Sequence, residues 1–230
     1  MKPYAAMIFD VGGTLLRLNL DALTHAYCAA ALPLGHALDF ARTRQVISAL
    51  ELELPVWQQT RAVSLEQNNG SAFWIDFYSE GFRRLGIGND VCAAADQIRE
   101  RFQRAEFEIL HEDVIPTLAA LTARGISLGI LSNFSANLEN VLRQVKVHHY
   151  FRFFIVSAVV GIEKPDPKIF DLAVRAAARE RDQIVYIGDS IFHDIQGARN
   201  AGVDAILVDR QNRNADYAGA RVQDLRELAR

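Results

Sequence analysis

Ile184-Val185-Tyr186-Ile187-Gly188-Asp189-Ser190 is a short apolar run closed by a glycine and an acid. A run this short, bounded by glycine, reads as a buried strand. The same shape occurs at residues 4–11, where Asp10 precedes Gly12-Gly13-Thr14, and at 126–131, which ends in Ser132-Asn133. Residues 153–157 and 205–208 add two more such runs. Helical patterns fill the intervals at 114–124, 137–145, 167–179 and 193–201. Strands alternating with helices imply a parallel sheet joined by right-handed crossovers.

Between residues 21 and 107 the pattern changes. No strand-like run occurs there, and the periodicity predicts helices over 21–32, 40–54, 72–85 and 90–107. Asn89 or Asp90 is suited to cap the last of these, and Gly86 and Gly88 end the one before it. The expected fold is therefore α/β: a Rossmann-like open parallel sheet from residues 1–17 and 108–230, with an all-helical domain inserted at 18–107.

Composition narrows the function classes. The chain has 230 residues, half of them hydrophobic and 23% charged, an ordinary globular balance. A net charge of −3 argues against non-specific nucleic-acid binding, which needs a basic face. Cys28 and Cys92 lie in apolar helical patterns and make no disulfide framework. No apolar run reaches the ~18 residues that span a bilayer, and the first residues lack the pattern of a signal peptide. The expectation is a soluble cytoplasmic protein with no membrane or nucleic-acid partner. Nothing in the sequence reports its oligomeric state.

In open α/β sheets, ligands bind beyond the carboxyl ends of the strands. Asp10, Ser132-Asn133 and Asp189 stand at those ends, and Glu163-Lys164 follows the 153–157 strand. Singly, each has a structural account as a turn residue, a helix cap or a solvated lysine. Together they supply a carboxylate nucleophile, donors for phosphate oxygens, a lysine to offset moving charge, and acids to hold Mg²⁺. Phosphoryl transfer needs these parts and little else.

The chain resembles the haloacid dehalogenase-like (HAD) superfamily over nearly its whole length. The first motif looks like Phe9-Asp10-Val11-Gly12-Gly13-Thr14-Leu15 and the second like Leu131-Ser132-Asn133. The third is similar to Glu163-Lys164-Pro165-Asp166-Pro167-Lys168-Ile169-Phe170. The fourth is similar to Gly188-Asp189-Ser190, followed by Asp194, Gly197 and Ala198. The resemblance implies a hydrolase acting on a small phosphorylated substrate, with Asp10 as nucleophile and Lys164 paired with it. It implies phosphate binding by Ser132, Asn133 and Lys164. Mg²⁺ would be held by Asp10, Asp189 and the backbone carbonyl of Gly12, and Asp194 would orient Lys164 or a metal-bound water. The helical insertion resembles the family's α-helical cap domain.

One position departs from the pattern. The family's phosphatases carry a second aspartate two residues after the nucleophile, as acid and base; Gly12 stands there. Such groups are typically worth about 10²–10⁴-fold in rate. A phosphatase without its resident acid is the leading reading. It would favour good leaving groups or borrow an acid, with His25, His36 and Asp21 as the insertion's candidates. A haloacid dehalogenase also lacks this aspartate, but the intact Asp189 motif argues against it. A phosphonatase needs a lysine in the cap, and none occurs between Lys2 and Lys146. A non-catalytic binding protein on the same scaffold is the alternative outside enzymology, although a dead site has no physical need for Asp10, Lys164 and Asp189.

Within the insertion, the helical spacing of Phe73, Phe77 and Leu85 reads as a core stripe. Arg42, Arg44 and Arg61 could meet an anionic substrate but read first as a solvated helix face, and Gln67-Asn68-Asn69-Gly70 reads as a turn. In the tail, Val222, Leu225 and Leu228 form a short helical pattern expected to pack on the core edge.

Overall fold

The structure is a computed structural model that describes residues 3–58, 63–65, 70–88 and 90–230. Its contacts divide the chain into two units, Met1–Arg17 with Leu110–Arg230, and Leu18–Ile109. The chain begins with β1 (Ala6–Phe9) and β2 (Leu16–Leu18). Then come the helices α1 (Leu20–Ala31), α2 (Phe40–Gln58), α3 (Ser71–Arg84) and α4 (Cys92–Gln103). After β3 (Glu108–Leu110) the order is α5 (Val114–Ala123), β4 (Ser127–Ser132), α6 (Leu138–Gln144), β5 (Phe154–Val156), α7 (Ser157–Val160) and α8 (Pro167–Ala177). The chain closes with β6 (Ile184–Gly188), α9 (Gly197–Asn200), β7 (Asp204–Val208) and β8 (Arg221–Val222).

In the first unit, six parallel strands form one sheet in the order β5-β4-β1-β6-β7-β8. β1 pairs with β4 on one side and β6 on the other, Phe9 lying in register with both Ile130 and Ile187. Every residue of β1 is buried. That explains its unbroken apolar run: a parallel strand covered on both faces shows no alternation. Strand order reverses direction around β1, so the ends of β4, β1 and β6 flank the position where such sheets bind ligands. One layer of core gathers Ile8, Leu131, Ile169, Phe170, Tyr186 and Ile195.

In the second unit, α1–α4 enclose a core built on Tyr27, Ile47, Phe77 and Phe82, all fully buried. Each such side chain contributes roughly 1.5–3 kcal/mol by leaving water. Asn19 starts α1 by accepting a hydrogen bond from the Ala22 amide at 3.1 Å. Phe73, Phe77 and Leu85 are buried, as their spacing predicts. No helix among the described residues is long and apolar enough to cross a membrane.

Several local expectations need correction. α4 begins at Cys92 with no side-chain cap, and Asp90 adopts a left-handed φ of 59° instead; Asn89 lies outside the described residues. β2 and β3, which pair in a separate two-stranded sheet, escaped notice because three residues are too few to show a period. The helix expected over 193–201 is a π-helical segment, Ile191–Gln196, leading into α9. The tail is short β8, paired with β7 at the sheet edge, then a 3-10 turn, Leu225–Ala229, closed by a capping box between Asp224 and Glu227.

Candidate active site

Asp10 leaves β1 with its side chain buried. Ser132, the last residue of β4, donates its hydroxyl to Asp10 Oδ1 at 3.0 Å. Lys164, two residues before the N-cap of α8, is also buried. Its Nζ donates to Asp10 Oδ1 at 2.7 Å, to Asp194 Oδ1 at 2.6 Å and to the Tyr186 hydroxyl at 2.9 Å. An ammonium has three N–H donors, and all three are used.

The Lys164 backbone is held as firmly as its head. Its amide donates to Asn133 Oδ1 at 2.8 Å, and its carbonyl accepts from Asn133 Nδ2 at 3.0 Å. The Asn133 side chain therefore braces the lysine loop, which leaves its backbone as the part able to meet a ligand. Asp194 Oδ2 accepts from the Ser190 amide at 2.9 Å, so both oxygens of Asp194 are engaged by the chain. The π-helical turn is what sends Asp194 inward. It passes so close to Gly188 that a Cβ there would collide with its carboxylate. Gly13 is constrained in the same way: its φ is 73°, and a Cβ would run into the Asp189 carboxylate.

Asp10, Asp189 and Asp194 each bring a carboxylate oxygen within 4.8 Å of the others. Burial, then the charge of Asp194, pushes Asp10 above its ordinary range, with Lys164 opposing. Desolvation by the surrounding chain, then the charges of Asp10 and Asp194, push Asp189 upward, although its side chain remains open to solvent. Burial alone would pull Lys164 down, but the two carboxylates beside it hold it above its usual value. Three acids crowd one ammonium, and their mutual repulsion helps raise Asp10 and Asp189. A hard divalent cation with oxygen ligands fits that donor set.

Two of the insertion's three candidate acids have contacts within their own unit. Asp21 accepts from Arg44 Nε at 2.6 Å on the surface, and the His25 ring lies on Phe40 with centroids 4.6 Å apart. His36 and Arg42 are exposed; Arg61 and residues 67–69 lie outside the described residues.

Tyr186 was not anticipated from sequence. It sits mid-strand in β6, fully buried, donates to the Leu131 carbonyl at 2.8 Å and accepts from Lys164. The available signal was a lone hydroxyl in an apolar strand, since a buried tyrosine needs a partner.

The family model for haloacid dehalogenase-like hydrolases matches residues 4–202. The chain belongs to this family. Among curated relatives of this HAD-like hydrolase, haloacid dehalogenase-like hydrolase domain-containing protein 3 of Mus musculus is 30% identical over 208 residues, covering 88% of this chain and 80% of the relative. A phosphoserine phosphatase of Thermus thermophilus is 29% identical over 210 residues, covering 82% and 84%. Among solved structures, the magnesium-bound HAD-hydrolase YfnB of Bacillus subtilis superposes with a TM-score of 0.72 over 99% of this chain and 97% of its own. At 21% identity, that likeness concerns the fold.

Proposed function

We propose that this hydrolase is a Mg²⁺-dependent phosphatase of small phosphorylated metabolites that works through an aspartyl-phosphate on Asp10. The observation carrying this reading is the buried contact between Lys164 and Asp10, 2.7 Å long, beside the Ser132 hydroxyl. The likeness to a phosphoserine phosphatase supports a phosphorylated small molecule as substrate.

In the first step a carboxylate oxygen of Asp10 attacks phosphorus. The bond from phosphorus to the leaving oxygen breaks, and its electron pair departs with that oxygen. Ser132 turns its hydroxyl to a phosphoryl oxygen, the Asn133 backbone N–H holds another, and Lys164 offsets the charge. Water then attacks phosphorus, phosphate leaves, and the Asp10 carboxylate is restored. Mg²⁺, when held by Asp10, Asp189 and the Gly12 carbonyl, supplies charge neutralisation for the phosphoryl oxygens. Asp194, with both oxygens already engaged, orients Lys164 rather than serving as a ligand. Residues 18–107 are the cap domain.

Gly12 offers no proton to the leaving group, so the enzyme favours leaving groups that need none. Phosphate release from p-nitrophenyl and acetyl phosphate, with Mg²⁺ or with EDTA, tests the proposal. Turnover that needs Mg²⁺ and disappears in Asp10→Asn supports it. Turnover of 2-haloacids in EDTA, with none of phosphate esters, replaces it with a dehalogenase.

A further inference from the structure

Arg210 follows β7 and lies beyond the residues that the family model matches. Its Nη2 donates to the Thr14 carbonyl at 2.7 Å, and its Nη1 donates to Asp113 Oδ2 at 2.7 Å. The same Asp113 oxygen accepts from the amide of Leu225, the first residue of the terminal 3-10 turn, at 2.7 Å. Asp113 itself precedes α5 and is buried. One guanidinium thus joins the loop after the nucleophile, the start of α5 and the end of the chain.

The loop it grips is tight. Gly13 N donates to Leu16 O, and the Leu15 and Leu16 amides both donate to Val11 O, each at 2.9 Å. The Thr14 carbonyl points out of this turn to Arg210. His111 meets the loop from the β3 side through its amide, which donates to the Leu15 carbonyl at 3.1 Å.

The surroundings are unusually polar. Of nine buried side-chain atoms left without partners among the described residues, five belong here: Thr14 Oγ1, His111 Nε2, Asp113 Oδ1, Thr117 Oγ1 and Arg210 Nε. Thr117 stands one turn beyond Asp113 on α5, its amide bonded to the Asp113 carbonyl at 3.1 Å. An apolar filling would have held α5 against the loop equally well. It could not have aimed a fork of two N–H groups at a carbonyl and a carboxylate together, which is what an arginine does and a lysine does not.

We propose that Arg210 is a positioning residue: with Asp113 it clamps the Gly12–Thr14 loop, so that the chain beyond residue 202 helps set the geometry beside Asp10. The consequence for turnover rests on the phosphatase reading; the clamp itself does not. Misplacing a reacting group by about 1 Å costs on the order of 10²-fold in rate, so a loosened loop lowers kcat before it changes substrate binding.

The test compares the full-length wild type with Arg210→Met, Arg210→Lys and Leu228→Ala. Leu228 is buried in the same terminal turn and makes none of these hydrogen bonds. Amide exchange at Gly13, Leu15 and Leu16 is read alongside kcat and KM for p-nitrophenyl phosphate. In Arg210→Met the three amides exchange about tenfold faster or more, as local opening predicts, and kcat falls about tenfold at near-constant KM. Arg210→Lys keeps a charge for Asp113, so it folds even if Arg210→Met does not, and its loop amides also exchange faster than wild type. Leu228→Ala lowers the melting temperature and leaves loop exchange and kcat at wild-type values. Unchanged loop exchange in Arg210→Lys, or equal acceleration in Leu228→Ala, overturns the clamp. If the wild type turns over no phosphate ester, the phosphatase reading fails, and the exchange data still decide the clamp.

Discussion

Lys164 Nζ lies 2.7 Å from Asp10 Oδ1, with both side chains almost entirely out of water. The pair is held by a third partner, Asp194, 2.6 Å from the same nitrogen. Removing the ammonium leaves two buried carboxylates facing each other. Lys164→Met is therefore expected to destabilise the fold by about 3–5 kcal/mol in urea melts, the usual cost of breaking a buried pair. Phosphate release should fall by about 10²-fold or more. Wild-type turnover in this variant would remove Lys164 from the chemistry.

Gly12 and Gly13 are expected to respond in opposite ways. A Cβ on Gly12 meets nothing within 4 Å. Gly12→Asp should fold normally and raise turnover of alkyl phosphates by about 10²-fold, the low end for an added acid–base group. Turnover of p-nitrophenyl phosphate should change much less. Gly13→Ala places a methyl against the Asp189 carboxylate at a φ of 73° and should lose both stability and activity. Equal rate gains on both ester types in Gly12→Asp would show that leaving-group protonation is not the missing function.

Tyr186→Phe removes one hydroxyl that accepts from Lys164 and donates to the Leu131 carbonyl. The orphaned carbonyl should cost about 1–3 kcal/mol. Lys164 then loses one of its three partners, and kcat should drop about tenfold at constant KM, in line with a loosened catalytic group. A melt and a Michaelis–Menten curve on the same sample separate the two effects.

Glu51 carries a buried oxygen without a partner, and burial pushes its carboxyl from 4.5 up to about 7. Tyr27 and Tyr78 face it, with Glu108, itself pushed to about 7 by burial, and Arg99 also acting on Tyr78. A carboxyl whose folded-state pKa is raised binds its proton more tightly when folded. Its stabilising effect is full below about pH 4.5 and is lost as pH rises to about 7. Glu51→Gln should therefore raise stability at pH 8 by about 1–3 kcal/mol, and the gain should vanish near pH 4.5. A variant-minus-wild-type difference that stays flat from pH 4.5 to 8 would exclude the shift.

Much of the α/β unit was legible because its signals are local. A buried parallel strand is an uninterrupted apolar run, and Asp10, Ser132 and Asp189 are the polar residues that stop three such runs. The stops fall at strand ends, so the sequence order already places them at one edge of the sheet. What stayed hidden was either too short to carry a period, as with β2, β3 and β8, or depended on close approach. The inward turn of Asp194 is one case: nothing in 191–196 announces a π-helical segment, which is stabilised by Lys164 and the Ser190 amide.

The sequence by itself determined the alternation of strands and helices, the helical insertion, and the four polar stations with glycine in place of an acid at position 12. Hydrophobic period and strand-end chemistry are properties of neighbours along the chain. The tertiary structure alone decided that Tyr186 completes the coordination of Lys164, that Asn133 braces the lysine loop, and that Arg210 reaches back 196 residues to Thr14. Those contacts exist only once β6 lies beside β1 and the tail folds over α5. No local pattern encodes them, because a hydrogen bond between distant residues is set by strand pairing and packing rather than by the identity of the residues on either side.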